Sequence, residues 1–475
     1  MGQSTVLGIQ FHGALMTNKI GNVATGRLLI MGARGSHRVV GTFRPQSYRL
    51  VALDAETLRP KEVTWQYERD RQSVTGHAFL DTQPYERLMV GSGKQRIVLN
   101  PSNIIGNFPA LCALRNDGKP HAWGWAENGG DPPEEIKQLT DVVEISSSMA
   151  AFAVRRATGH VMAWGSSENP SSMVPDDIAA LNDIVALYGG AYVFVARRSS
   201  GQIVAWGLEQ TGGRLPREIA ELTDIVDAMG AEFAFAALRG NGQVVAWGDS
   251  RYGGELPEEI GTLRDVVQLA SAGDVLALRR ANGRIAVWGN PTFTPIPSEI
   301  AELDDIVDLV GNDSAFAARR ANGQVVAWGF LPGTTPPKEI ADLTDIVHVT
   351  CTSSAFIALR STGQVVAWAT GQVALLPSVI RQLTDVVAIS TNHEAAVALR
   401  SNGEAIAWGD PETGGDSTCV APLLTHVRAV YGGTRTFAAL REDGRVIAWG
   451  DAHKGGTGEQ KALYQLISYA EKAAP

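Results

Sequence analysis

Over most of this chain, apolar and polar residues alternate in short runs that return in a fixed order. The stretch "AFAALR" (234–239) is followed by three turn residues and then by "QVVAWG" (243–248). Alternation with period two is the mark of a half-buried β-strand. The second run ends in Trp-Gly each time. Aligning on it gives Trp123, Trp164, Trp206, Trp247, Trp288, Trp328, Trp368, Trp408 and Trp449, spaced 40 to 42 residues apart. A period of this length predicts a tandem-repeat architecture and governs every local reading.

Each unit opens with a run such as "LTDIVDA" (222–228), passes through a variable stretch, and enters the alternating pair of runs. Gly118, Gly159, Gly201, Gly242, Gly283, Gly323, Gly363, Gly403 and Gly444 stand at one offset before the tryptophan run. The preceding residue is mostly Asn, Asp, Thr or Ser, which predicts a β-hairpin closed by a type I′ turn. The "DIV" run supplies a third strand. The piece after Pro133, Pro175, Pro216, Pro257, Pro297 and Pro337 is either a fourth short element or one helical turn begun by proline. Three or four strands per 40 residues in tandem describe the blades of a β-propeller, where stacking buries the faces and limits free edges. The nine tryptophans are then structural plates packed between blades.

Two charged series run in step with them. Arg115, Arg156, Arg198, Arg239, Arg280, Arg320, Arg360, Arg400 and Arg441 each precede the turn glycine by three residues. Asp141, Asp183, Asp224, Asp265, Asp305, Asp345 and Asp385 recur in the "DIV" run. Matching periodic acids and bases predict an Arg–Asp bond repeated once per unit, rather than a circular arginine patch gripping an anion.

The unit "ALRxxGxVxAWGxxxxGGxxPxxIxxLTDVVxI" resembles the repeat of the regulator of chromosome condensation superfamily. Its short spacing is similar to that of the bacterial branch that includes the propeller-type beta-lactamase inhibitory protein. The resemblance covers about residues 106–470 and implies a β-propeller. It implies little about function, since members include a nucleotide exchange factor and an enzyme inhibitor. The chain departs from the pattern in several places. It has nine Trp motifs where members generally have seven blades, Ala369 replaces the motif glycine, and His426 stands where Asp is expected. Counting gives nine blade equivalents; a seven- or eight-bladed ring with leftover units, or an open superhelix, stays open. The final "ALYQLISYA" (462–470) looks like a "DIV" strand that completes the first blade and joins the two ends.

Residues 1–105 lack the repeat. They read as strands, "TVLGIQFH", "GRLLIMGAR", "HRVVGTF", "YRLVALDA", "KEVTWQYE", "ERLMVG" and "RIVLN", and predict a β-sandwich-like domain beside the ring. "GARGSHR" lacks the frame of a phosphate loop and reads as a hairpin or loop. His12 and His37 have no partner motif and are expected at the surface. The organisation expected is therefore 1–105, the repeat array over 106–470, and a tail over 471–475.

Composition adds limits. The 475 residues are 44% hydrophobic with a net charge of −9, ordinary for a globular chain and unfavourable for nucleic acid as the main partner. Cys112, Cys351 and Cys419 are far apart and form no CxxC pair, so reduced thiols are expected rather than a disulfide framework or a zinc site. No 18-residue apolar stretch and no signal-peptide pattern is present, which points to cytoplasmic residence or export without a cleaved signal.

No catalytic motif assembles, so no enzyme activity, cofactor or metal is expected. The residues that vary between the "DIV" and "AFA" strands are the informative ones. Tyr188, Tyr192, Glu232, Asp274, Asp313, Asn392, His393, Glu394, Tyr431 and Arg435 are expected to form a loop surface that recognises a partner. The corresponding loops of the inhibitory protein face its partner enzyme, so the resemblance points to the same face. The connections after the tryptophans, with Trp125, Arg251, Tyr252, Phe293 and Phe330, are expected on the opposite face. The function expected first is a protein-binding module. Glycan recognition by a secreted or surface protein in toxin or host-interaction biology, and nucleotide exchange on a small GTPase, are the alternatives.

Overall fold

The computed structural model describes residues 27–34, 38–39, 42–43, 48–70, 72–84, 86–101, 103–292, 295–330 and 332–471. His12, His37, Phe293, the strand expected in "TVLGIQFH", the centre of "GARGSHR" and the tail over 472–475 lie outside them.

Among the described residues the array consists of nine antiparallel sheets, each of three consecutive strands, the ninth extended by a short fourth one. In the second sheet these are Val142–Ser147, Ala151–Arg156 and Val161–Gly165. The first strands of successive sheets lie against each other, which makes them the inner strands, and the Trp-Gly strands lie outermost. The middle strands carry the core: Ala151, Phe152, Ala153 and Val154 are fully buried, and the same holds unit after unit. The "PxEI" piece is one helical turn with proline as its N-cap, not a fourth strand; its isoleucine, Ile136 in the first unit, is the residue it buries.

The hairpin turns differ from the type I′ turn that Asn-Gly predicts. Arg239 N–H donates to Gln243 O and Gly242 N–H to Arg239 O, leaving a three-residue loop in which only the glycine has positive φ. This is a type I turn followed by a left-handed glycine bulge. The asparagine instead caps the strand that follows, since Asn241 Oδ1 accepts the N–H of Gln243 at 2.9 Å. The glycine is needed twice over. Its φ is +82° at Gly323, and a Cβ there would stand 2.2 Å from Thr344 O of the next unit. That close approach lets Gly323 O accept Ile346 N–H, the first inner-strand donor of the next sheet.

The tryptophans form a second set of ties. The indole N–H of Trp164 donates to Gly129 O at 2.9 Å, in the connection of the preceding unit. Trp206, Trp247, Trp288, Trp368, Trp408 and Trp449 donate in the same way to the carbonyl 34 or 35 residues back. For Trp328 that position is residue 293, outside the described residues. Trp123 has no preceding unit and donates instead to Gly455 O, in the connection of the ninth. Thr434 Oγ1 of the ninth unit likewise donates to Asn107 O of the first. The first and last sheets are thus neighbours.

The charged series is a set of pairs within units. Arg156–Asp141, Arg198–Asp183, Arg239–Asp224, Arg280–Asp265, Arg320–Asp305, Arg360–Asp345 and Arg400–Asp385 all meet at 2.8–3.1 Å through Nε. They are partly exposed, so each contributes at most about 1 kcal/mol. The first and ninth units lack the periodic aspartate, and Arg115 and Arg441 turn to Asp117 and Asp443.

The first sheet takes its inner strand from Ile104–Gly106, not from the C-terminal run. The C-terminal run still reaches it. Leu466 O accepts Asn116 N–H, the bond that Asp141 O makes to Ala157 N–H in the second unit. Beyond this point the chain pairs with the strand Gln95–Leu99 through Leu99 and Ala470.

Residues before the array form two main sheets, one of Leu28–Met31, Tyr48–Asp54 and Ala78–Asp81, the other of Val74–Gly76, Val63–Tyr67, Leu88–Ser92 and Gln95–Leu99. They do not stand beside the ring. Leu29, Met31, Val51 and Leu53 pack on Val387, Ala388 and Val430 of the inner strands. Buried Arg34 holds this region together: it pairs with Asp81 at 2.7 Å and donates to four backbone carbonyls, of Gln83, Glu86, Leu99 and Asn100.

Ala369 adopts φ +85°, where the equivalent residue of neighbouring units is glycine. Ala369→Gly is therefore expected to raise stability by about 1 kcal/mol. Gly323→Ala, which meets both the φ and the Thr344 carbonyl, is expected to cost more than about 2 kcal/mol. Denaturant unfolding of the two variants checks both signs.

Candidate binding face

The inner–middle loops and the connections after the tryptophans share one end of the sheets. Ser166 N–H donates to Ala150 O, Leu208 N–H to Tyr192 O and Asp249 N–H to Phe233 O, so the two sets of loops touch. The expectation that Trp125, Arg251, Tyr252 and Phe330 lie on the opposite face is thereby overturned. The antiparallel hairpin returns the outer strand to the end that the inner strand left. Phe233 and Tyr252 meet across the two loops with centroids 4.9 Å apart and planes tilted by 41°, and Trp125 and Phe330 are exposed.

Three of the residues expected on this surface are inside the protein. Tyr188 and Tyr431 belong to inner strands that run on to Gly189 and Gly432, and both side chains are buried. Asn392 is fully buried and works as a bracket: its Nδ2 donates to Thr413 O, and its Oδ1 accepts the N–H of Ala395 at 2.8 Å. Asn107 does the same in the first unit, donating to Asn128 O and accepting from Ala110 N–H.

The remaining residues stand half-buried on the face in two groups. In the fourth to sixth units, Glu232 and Asp313 occupy equivalent loop positions and Asp274 the position one residue on. Glu232 N–H donates to Gly273 O, which sets the fourth loop against the fifth. Burial first, then the charges of Asp274 and Asp313, push the Glu232 carboxyl up to about 7. Asp274 is also raised, by burial and by Asp249 of the neighbouring connection, against a lowering bond from Asn290.

In the seventh to ninth units, Glu394 accepts the hydroxyls of Ser353 at 2.5 Å and Ser354 at 3.1 Å. His393 N–H donates to Thr434 O, while its carbonyl accepts from Ser353, so this loop is stitched to its neighbours on both sides. Arg435 pairs with Glu412 at 3.0 Å. Tyr192 lies apart from both groups, in the third unit. Sequence reasoning missed Ser353, Ser354 and Asp249. Their signal was positional, because each falls in a loop of the same offset as a residue that was singled out. Among the described residues no group of His, Cys, Asp and Glu is placed to hold a metal ion, and no helix is long and apolar enough to cross a membrane.

Sheets that repeat every 40 residues, with converging inner strands and a last sheet bonded to the first, decide the architecture. The fold is a β-propeller. No family model matches the chain, and no curated protein does. Solved structures are similar at the level of fold. The ectodomain of the Physcomitrella patens receptor kinase CR4 is 17% identical, with 59% of this chain and 76% of that one covered and a TM-score of 0.38. Prp20p from Saccharomyces cerevisiae, described with its binding to Gsp1p and histones, is 15% identical, with 66% and 83% covered and a TM-score of 0.38. The C-terminal domain of gp131 from bacteriophage phiKZ is 7% identical, with 78% and 97% covered and a TM-score of 0.36.

The Glu232 carboxyl is expected to titrate near pH 7, and to fall toward the ordinary range of glutamate in the Asp274→Asn, Asp313→Asn double variant. A carboxyl-carbon NMR titration reads both. The folded state holds this proton above the ordinary value of 4.5, so stability is lost as pH rises from about 4.5 to about 7. Glu232→Gln is therefore expected to melt with the parent protein at pH 4.5 and above it at pH 8.

Proposed function

We propose that the protein is a non-enzymatic binding module that recognises a protein partner through this propeller face, and that the partner presents a basic patch. The observation that carries the reading is the arc of Glu232, Asp274 and Asp313, three carboxyl groups in the corresponding loops of adjoining units. Burial, with the charges of Asp274 and Asp313 beside it, makes Glu232 keep its proton to near neutrality. A lysine- or arginine-bearing surface would relieve that repulsion, and charge complementarity of this kind selects partners and speeds encounter. Phe233 packed against Tyr252, beside Arg251, supplies an aromatic anchor at the edge of the same arc.

The reading includes a closed ring of nine blades, of the short-repeat kind that the 40- to 42-residue spacing suggests. It is supported by the bonds from Trp123 to Gly455, Thr434 to Asn107 and Asn116 to Leu466. Electron-microscopy averages viewed down the ring axis are expected to show nine spokes.

The binding reading is tested by capture on the immobilised protein. The triple variant Glu232→Lys, Asp274→Lys, Asp313→Lys, checked for native circular dichroism, is expected to lose the partners that the parent retains by tenfold or more. Capture by the parent should strengthen between pH 6 and pH 8 as Glu232 ionises. Unchanged capture by the triple variant rejects this face as the binding surface.

A further inference from the structure

The inner wall of the ring is divided into a polar and an apolar sector. In each unit the residue after the "DIV" run lies opposite the next-to-last residue of the middle strand. The pairs are polar or charged in the second, fifth and sixth sheets, Glu144–Arg155, Gln268–Arg279 and Asp308–Arg319. They are mixed in the third and fourth, where Arg197 faces Ala186 and Asp227 faces Leu238. In the eighth and ninth they are Ala388–Leu399 and Ala429–Leu440, and the N-terminal strands cover them with Leu29, Met31, Leu28 and Ile30.

Within the polar sector the charges of the second sheet are matched. Arg155 meets Glu144 at 2.6 Å, and the other carboxylate oxygen accepts Leu187 N–H of the next sheet. The fifth and sixth sheets are not matched in this way. Arg279 donates its Nε to Gln268 at 2.9 Å, and Gln268 passes a bond to Asp308 at 3.0 Å. Asp308 takes that bond and Leu309 N–H on one oxygen, while its second oxygen accepts nothing among the described residues. Arg319 Nε is buried and donates to none of them either. A third guanidinium enters from the N-terminal region: Arg49 donates to Val387 O at 2.7 Å. Burial first, and then the charge of Arg319, lower its pKa to about 10. Among the described residues, Arg279 and Arg319 thus stand near one carboxylate whose outer oxygen is left open, and the Arg49 charge reaches Arg319.

The first 53 residues supply no counter-charge, and the acid that the N-terminal sheets do bring to the inner wall, Glu86, lies by Arg155 and Arg197 of the second and third sheets. Residues 1–53 contain Lys19, Arg27, Arg34, Arg38, Arg44 and Arg49 and neither Asp nor Glu. The hairpin strands Arg38–Val39 and Thr42–Phe43 come from this acid-free stretch, and the second of them lies against the inner strands of the fourth and fifth sheets. Arginine stays protonated at neutral pH, so an excess of buried guanidinium groups must find a partner or bear the cost of desolvation. The planar guanidinium fork matches the oxygens of phosphate.

We propose that Arg49, Arg279 and Arg319 form an oxyanion site in the ring channel, which takes a phosphate group either free or at the end of a small phosphomonoester. The test is thermal unfolding and calorimetric titration of the full chain with two probes, inorganic phosphate and ribose 5-phosphate, against chloride of equal ionic strength. Phosphate at about 10 mM is expected to raise the melting temperature by about 2–4 °C. A larger shift with ribose 5-phosphate marks a phosphomonoester ligand; an equal one marks the free ion. Arg319→Gln is expected to abolish the response while melting in chloride at or above the parent, because it removes repulsion. Arg49→Gln, in the N-terminal strand Tyr48–Asp54, should behave in the same way and serves if the first variant fails to fold. Arg217→Gln, on the outer helix, should keep the full response. Absence of a shift with both probes, or a shift retained in Arg319→Gln or Arg49→Gln, overturns the proposal.

Discussion

An indole N–H bonded to a carbonyl 34 or 35 residues earlier sets each sheet of this protein against the one before. Among the described residues the bond recurs from Trp164 to Trp449 except at Trp328, whose position falls at residue 293, and in six units the ring packs beside a phenylalanine of its own middle strand, as Trp164 does with Phe152 at 5.4 Å. A buried indole must satisfy its single donor, and this donor can be satisfied only by the neighbouring unit. Burial of the plate and placement of the neighbour are therefore one event. The turn glycines from Gly118 to Gly403 do the corresponding work near the inner strands, since each lends its carbonyl to the first inner donor of the next sheet, while Gly444 lends its own to Gln465 of the C-terminal run. Ties that run only between successive units make stability nearly a sum of nearest-neighbour terms. The closure is the exception. Trp123 must find Gly455 across 332 residues, so the loop-closure cost of the ring falls on that one seam. The seam is also where the N-terminal sheets and the C-terminal run are added.

The repeating positions were legible in the sequence because each repeats its physical reason. An arginine and an aspartate 15 residues apart, seven times over, can only be a local pair. What the sequence concealed lies where one residue type serves two purposes. Asn-Gly suggests a type I′ turn, yet Asn241 keeps negative φ and uses its side chain to cap Gln243 N–H. Tyr188 and Tyr431 look like interface anchors beside the glycines that follow them. The strands continue through those glycines, and the alternation of side chains turns both rings into the core. The opposite face fails for Trp125 and Tyr252 for a topological reason, since three strands leave the chain at the end opposite to that where two would.

The candidate face was legible only in part. Glu232, Asp274 and Asp313 were visible as deviations from the repeat, but their mutual approach depends on the curvature of the ring, which no single unit encodes. The inner wall was not legible at all. Asp308 and Arg319 are eleven residues apart and give no sign in one dimension that they face a channel that Arg49 also enters.

The two places where the repeat relaxes follow from the geometry of the frame. A nearest-neighbour tie through the tryptophan, the turn glycine and the Arg–Asp pair leaves two positions unconstrained in each unit, the loop at one end and the inner-wall residue after "DIV". Inner-wall side chains of some sheets are covered by the N-terminal strands rather than by the array itself. On the side of the eighth and ninth sheets the wall is Ala and Leu, and the N-terminal strands fill it with Leu and Met. On the side of the fifth and sixth the wall is charged, and Arg49 from the N-terminal sheets adds a further cation. Repulsion between Arg49 and Arg319 is what remains of that mismatch. A frame that needed those positions for packing would have made them apolar all round, as it did opposite.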